Sequence, residues 1–218
     1  RAALQLFIRR YRRGIEYLLR YLFIEWPRGL DFSIRNKTLG VRTSGNHGYA
    51  LTSKRALKNM LRHIPYQGKA LIDVGSGKGG VICFAYELGA STCEGIEVEE
   101  HLHRIAVQNI NRLGYSPQVR STLVDARLFD RYVDFDIFFL FNPFDDDIYE
   151  EVVQQICDQT AKDQGPHRQR YVICYGAANL TALSRASALS LIVEEECPYR
   201  GNMYRIYGLG AGASAPAQ

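Results

Sequence analysis

The stretch LIDVGSGKGG, Leu71 to Gly80, decides the reading of this chain. Strand-like residues run directly into a cluster of glycines, and an apolar segment of helical length follows. A strand that breaks at glycines and resumes as a helix is the opening of a βαβ unit. Gly75, Gly77 and Gly80 also satisfy the spacing GxGxxG. Glycines there let a ligand approach the backbone, beside a helix N-terminus that supplies unpaired amides.

Outward from this turn the alternation continues. Strand-like runs cover 70–74, 92–98, 119–124, 135–141 and 171–175, and helical patterns cover 79–88, 100–113 and 148–160. The run FDIFFLF at 135–141 reads as a strand buried on both faces, and Asp145, Asp146 and Asp147 suit the positive end of the helix after it. The end differs. SLIVEEEC (190–197) and GNMYRIYGL (201–209) are separated by too few residues for a crossover helix, so they predict an antiparallel hairpin. The expected fold is α/β and Rossmann-like, a mostly parallel seven-stranded sheet with an antiparallel C-terminal hairpin and an N-terminal helical extension. Three regions follow: a basic helical extension and substrate-side segment at 1–62, a ligand-binding domain at 63–210 and a flexible tail at 211–218.

The extension is distinctive. Leu4, Phe7, Ile8, Tyr11, Ile15, Leu18, Leu19 and Leu22 form one apolar stripe, with Arg9, Arg10, Arg12, Arg13 and Arg20 mostly off it. Gly14 interrupts the pattern and Trp26-Pro27 ends it; a second helix is expected from Thr52 or Ser53 to about 63. The net charge of +4 hides an asymmetry, since residues 1–62 carry 14 Lys or Arg against three acids, and residues 63–218 carry 13 against 20. Five cysteines form no CxxC pair and the histidines do not cluster with them. Buried thiols in a reducing, cytoplasmic setting and no metal site are the expectation.

The residues after the glycines select the ligand. Lys78 is followed by Gly79 rather than Ser or Thr, which excludes a Walker A loop. Glu97 ends the second strand, where a carboxylate can accept both ribose hydroxyls of an adenosine. Asp73 separates the remaining candidates: it would repel the pyrophosphate of a dinucleotide but attract a sulfonium compound with a free amino group. Asp125-Ala126 offers a further carboxylate at the adenine edge, and Asn142-Pro143-Phe144 ends the fourth strand at the carboxyl edge of the sheet.

Asp73 through Gly79 (DVGSGKG) resembles the first motif of class I S-adenosylmethionine-dependent methyltransferases. The resemblance covers roughly 66–209. It implies S-adenosyl-L-methionine held by Asp73, Gly75, Ser76, Gly77, Gly79, Glu97, Asp125, Ala126 and Asn142, with Asn142 and Phe144 facing the transferred methyl group. A narrower likeness, to poorly characterised bacterial-type methyltransferases, rests on GVRTSG (40–45), DxGSGKG and FNPF (141–144). Many of these carry Arg where this chain has Gly80, a change expected to alter the surface of the first helical turn. FNPF is one proline shorter than the NPP-aromatic motif of enzymes that methylate planar amino groups, which argues against a base amine. Tyr49, Thr43 and Asn46 lie where such enzymes often carry a substrate lid.

Two classes of function stand at this point. One is methyl transfer to an unidentified acceptor, such as a protein or nucleic-acid amine. The other is a catalytically silent binding domain whose basic arm holds nucleic acid, protein or an anionic membrane. For the arm itself, packing on the chain's own domain is the expectation, because a long apolar stripe most often makes a core contact.

Overall fold

The computed structural model describes residues 15–16, 18–33, 49–143, 145–163, 168–176, 183, 186–199 and 201–210. Thr43, Asn46, Phe144, the segment 40–45 and the tail 211–218 lie outside them. Seven strands form one sheet: β1 (Ala70–Val74), β2 (Thr92–Glu97), β3 (Val119–Leu123), β4 (Ile137–Leu140), β5 (Arg170–Tyr175), β6 (Leu189–Glu196) and β7 (Met203–Leu209), in the order β3-β2-β1-β4-β5-β7-β6. The first five pair in parallel, and β7 runs antiparallel to both β5 and β6.

The hairpin inserts its second strand into the sheet, leaving β6 at the edge. The side chains account for this order. Met203–Leu209 is buried along nearly its whole length, whereas Leu189–Glu196 carries three glutamates and a register irregularity between Leu191 and Val193. Charge and a bulge on an outer strand keep its free edge from pairing with another chain.

Among the described residues, four helices cover the sheet: α1 (Lys54–Leu61), α2 (Gly80–Leu88), α3 (Glu100–Leu113) and α4 (Asp146–Ala161). Local chemistry sets their ends. The Ser53 hydroxyl accepts the Ala56 N–H at 3.2 Å to start α1, and left-handed Gly89 and Gly114 end α2 and α3. Consecutive residues of β1 supply opposite faces, Leu71 packing with α1 and α2 while Ile72 packs with α4. The run expected over 135–141 pairs only over Ile137–Leu140. Phe135 follows a tight turn at Tyr132–Asp134 and packs on Phe129, while Phe141 stacks on Tyr175 with ring centres 4.6 Å apart. All five cysteines are buried free thiols, and burial pushes the Cys83 thiol up to about 12.

The extension docks by its polar side chains. Residues Tyr21–Glu25 and Trp26–Arg28 form two consecutive helical turns. The Glu25 carboxylate is buried and accepts from Arg20 Nε at 2.7 Å, the Phe32 N–H at 2.9 Å, the Ser33 N–H at 2.8 Å and the Ser33 hydroxyl at 2.6 Å. Arg20 also lies over the Phe84 ring of α2. Beyond this anchor Leu30 and Phe32 enter the core. The apolar side chains of residues 15–26 do not: Ile15, Leu18, Leu19, Leu22, Phe23, Ile24 and Trp26 are exposed. For these residues the expected core contact is reversed, because one buried carboxylate with four donors fixes which side of the helix faces inward.

Glu25→Ala leaves two buried backbone N–H groups without an acceptor. It should cost about 3 kcal/mol of stability, read as a lower urea midpoint with little change in slope. An unchanged midpoint would show that the extension contributes nothing to the folded domain.

Candidate functional site

A cavity of about 460 Å³ opens at the carboxyl ends of β1, β2 and β4, where open α/β sheets bind ligands. Asp73, Gly75, Ser76, Gly77, Glu97, Asp125, Ala126 and Asn142 line it, and so do Tyr49, Leu51 and Thr52 from the segment before α1. The topology produces this convergence. β1 is central, so its end meets the ends of both neighbours, and the loops after β1 and β4 come into contact.

Two buried carboxyl groups dominate the electrostatics. Asp73, 3% exposed, sits within β1 with its acidity weakened first by burial and then by the nearby charge of Glu97. Burial also raises Glu97, opposed by three backbone donors: the Gly77 N–H reaches Oε2 at 2.7 Å, and the Val98 and Glu99 N–H groups each reach Oε1 at 2.9 Å. A carboxylate offers about four acceptor positions. Oε1 is filled and Oε2 keeps one, so the expectation of bonds to both ribose hydroxyls narrows to Oε2. Asp125 is bound differently. Arg127 Nη2 reaches its Oδ2 at 2.6 Å and the Arg127 N–H its Oδ1 at 2.9 Å, and these bonds hold the carboxyl below its ordinary range.

The glycine turn does not present the free amides expected of it at the positions whose bonds are defined. The Gly75 and Ser76 N–H groups both donate to Ile96 O at 3.0 Å, Gly77 donates to Glu97, and Gly79 donates to Ser76 O at 3.0 Å. The glycines are needed for close packing. A Cβ on Gly75 would stand 2.7 Å from Pro143 Cβ, and one on Gly77 would stand 2.3 Å from the Tyr49 ring, both at positive φ. Thus the GSG and FNPF loops fit together because one has no side chain where the other has proline. Gly79 packs against Ala106 of α3 and does not line the cavity. Asn142 does, in a left-handed conformation with φ +43, uncommon for any residue but glycine and best tolerated by Asn or Asp.

The segment before α1 is a wall of the cavity that sequence reasoning underrated. Tyr49 donates its hydroxyl to Phe32 O at 2.6 Å, and its ionisation is suppressed by burial and then by Glu25, Asp31 and Asp73. Leu51 fills the space at Gly80, where a Cβ would stand 2.5 Å from Leu51 Cδ1. The expected change of surface at Gly80 is therefore a buried contact, and an Arg there would displace Leu51. Lys78, fully buried, pairs with Asp31 Oδ1 at 2.8 Å. Asn109 ties Asp31 and the Lys78 carbonyl together through bonds of 2.9 to 3.1 Å. Lys78 thus holds the extension to the glycine turn.

Thr52 carries a signal with no sequence counterpart. Its Oγ1 is buried without a hydrogen-bond partner and lines the cavity, because Ser53 rather than Thr52 caps α1. Ser76 Oγ is likewise buried and unpaired, held against Gly95. Buried hydroxyls without partners are uncommon and suit a polar ligand. No group of side chains among the described residues could hold a metal ion.

Comparisons with protein-family models and with curated proteins gave no match. Among solved structures, an RNA methyltransferase from Salinibacter ruber in complex with S-adenosyl-L-homocysteine superposes with a TM-score of 0.58 at 18% identity, over 78% of this chain and 98% of that one. A protein of the NADB-Rossmann superfamily from Streptococcus agalactiae gives 0.56 at 17%, over 74% and 70%. A ribosomal protein L11 methylase from Lactobacillus delbrueckii subsp. bulgaricus gives 0.53 at 16%, over 72% and 77%. The likeness is one of fold: the seven-stranded, Rossmann-like architecture of class I methyltransferases.

The raised Asp73 carboxyl has a consequence for stability. The folded state binds its proton more tightly than the unfolded chain, so this group's contribution falls as pH rises through the ordinary value of 3.8 toward the raised one. Asp73→Asn should therefore raise the melting temperature of the ligand-free protein at neutral pH, with the gain shrinking toward about pH 4. Equal melting curves across that range would remove the strained-carboxylate reading.

Proposed function

We propose that the cavity binds S-adenosyl-L-methionine and that the chain transfers its methyl group to an acceptor group of a protein or nucleic acid. One observation carries the reading: two buried carboxyl groups, Asp73 and Glu97, line one cavity of about 460 Å³, where the charge of Glu97 adds to burial in disfavouring the Asp73 carboxylate. A ligand bearing a sulfonium and an ammonium relieves that repulsion, whereas a pyrophosphate intensifies it. The bonded amides of Gly75, Ser76, Gly77 and Gly79 support the same choice, since they offer no cradle for phosphate.

The cofactor supplies an already activated methyl group, which leaves the protein the tasks of alignment and exclusion of water. Asp73 holds the ammonium end, and the Thr52 hydroxyl, which lines the same cavity, offers a further polar contact. Glu97 Oε2 receives a ribose hydroxyl. Asp125 and Ala126 border the adenine, Asp125 through the oxygen positions that Arg127 leaves open. Gly75, Ser76 and Gly77 form the floor, and Gly79 acts only by letting α3 approach. Asn142 places its amide toward the acceptor. The loop at 141–143 and the wall at 49–52 both border the cavity that would receive the acceptor, whose lost proton leaves to solvent. Phe144 belongs to the same proposal as an acceptor contact.

Calorimetric titration with S-adenosyl-L-methionine, S-adenosyl-L-homocysteine and NADH tests the first step. Saturable binding of the first two alone is expected, weakened at least ~tenfold by Asp73→Ala and roughly fivefold by Thr52→Val. Radiolabelled methyl transfer to protein and RNA fractions then reads the acceptor class. Absence of binding by the folded wild-type chain would overturn the enzyme reading and leave a silent binding domain.

A further inference from the structure

The helical turns of the extension are inside out. Ile15, Leu18, Leu19, Leu22, Phe23 and Trp26 recur at helical spacing on one face, and every one is exposed, Phe23 by 74% and Trp26 by 66%. On the inward side stand Glu25, buried with its four donors, and Arg20 over the Phe84 ring. A run of large apolar side chains on an exposed face marks an interaction surface, and its composition identifies the partner.

We infer that this face docks on an anionic lipid surface. The stripe is aliphatic with aromatic residues at its end, the composition that enters the boundary between headgroups and acyl chains, where tryptophan is favoured. The charge agrees. Residues 1–30 contain seven arginines, no lysine and two acids, of which Glu25 is already neutralised by Arg20. The stripe extends in sequence through Leu4, Ile8 and Tyr11, beside Arg9, Arg10, Arg12 and Arg13. Anionic headgroups complement those arginines while the acyl region receives the leucines.

Other partners fit less well. Nucleic acid would take the arginines and stack on aromatic rings, but it has no apolar phase for Leu18, Leu19 and Leu22. A second copy seated on the same face would set two arginine-rich segments against each other. The rest of the chain, 63–218, is net acidic, with 20 acids against 13 basic residues, so an anionic surface also repels the body of the domain and orients the extension toward itself. No helix among the described residues is long and apolar enough to cross a membrane, so the contact is one of docking.

The chain carries its own reporter, because Trp26 is its single tryptophan. Added to vesicles of mixed phosphatidylcholine and phosphatidylserine, the full chain should float with them and its emission should shift to the blue. Pure phosphatidylcholine vesicles and raised salt should weaken both signals. The double variant Leu19→Ser, Phe23→Ser keeps Trp26 and changes only exposed side chains, and it should reduce partitioning at least ~tenfold. Equal partitioning of variant and wild type, or equal uptake by neutral vesicles, would overturn the inference. So would a blue shift that follows protein concentration without lipid, which would assign the face to a second copy, or one produced by RNA instead of vesicles.

Discussion

The Glu97 carboxylate, with the Gly77 N–H at 2.7 Å, is the interaction on which the candidate site depends. It joins the end of β2 to the turn after β1, and through the Val98 and Glu99 amides it also shapes the approach to α3. Removing the acceptor would leave the buried Gly77 N–H and the partly buried Val98 and Glu99 N–H groups without it. The same group faces the cavity with one acceptor position open, so a single side chain both braces the turn and is available to a ligand. That double duty explains why its acidity is raised by burial yet restrained by three donors.

Around this brace, close packing replaces the anion cradle that a glycine-rich turn suggests. Pro143 rests where Gly75 has no Cβ, the Tyr49 ring rests on Gly77, Leu51 on Gly80 and Ala106 near Gly79. The turn is thereby surrounded by parts of the chain distant in sequence, and each glycine answers to a specific neighbour. The wall at 49–52 belongs to this packing. It is held through Tyr49 and Phe32, while Lys78 and Asn109 secure Asp31 in the adjoining stretch. A cofactor pocket bounded in this way depends on the extension as well as on the sheet.

The extension therefore has two chemistries on two sides. Its inward side is polar and fixed, with Glu25 as the anchor; its outward side is apolar and exposed. An amphipathic pattern alone says only that two faces differ. Which face turns inward is settled by the competition between burying a row of leucines and satisfying one carboxylate with four donors, and only the folded contacts with Phe32 and Ser33, beyond the helical turns, show how that competition resolves.

Much of the fold was legible because its signals are local. Alternating strand and helix patterns, the buried IFFL strand, the short link before GNMYRIYGL and the cap residues all act within a few positions, and the observed elements begin and end within a few residues of them. Asp73, Glu97, Asp125 and Asn142 were legible as cavity residues because a parallel sheet must bring the carboxyl ends of its central strands to one edge. What escaped was set by distance. Nothing near Thr52 distinguishes a lining hydroxyl from a helix cap; nothing near Lys78 announces Asp31, 47 positions earlier, as its partner. By itself the sequence determined the order of the elements, the parallel-to-antiparallel change and the chemistry collected at the sheet edge, since periodicity and connection length suffice for these. Tertiary structure alone decided which amides stayed free, which hydroxyl was left unpaired and which face of the extension met solvent, because each depends on partners that the chain brings together only on folding.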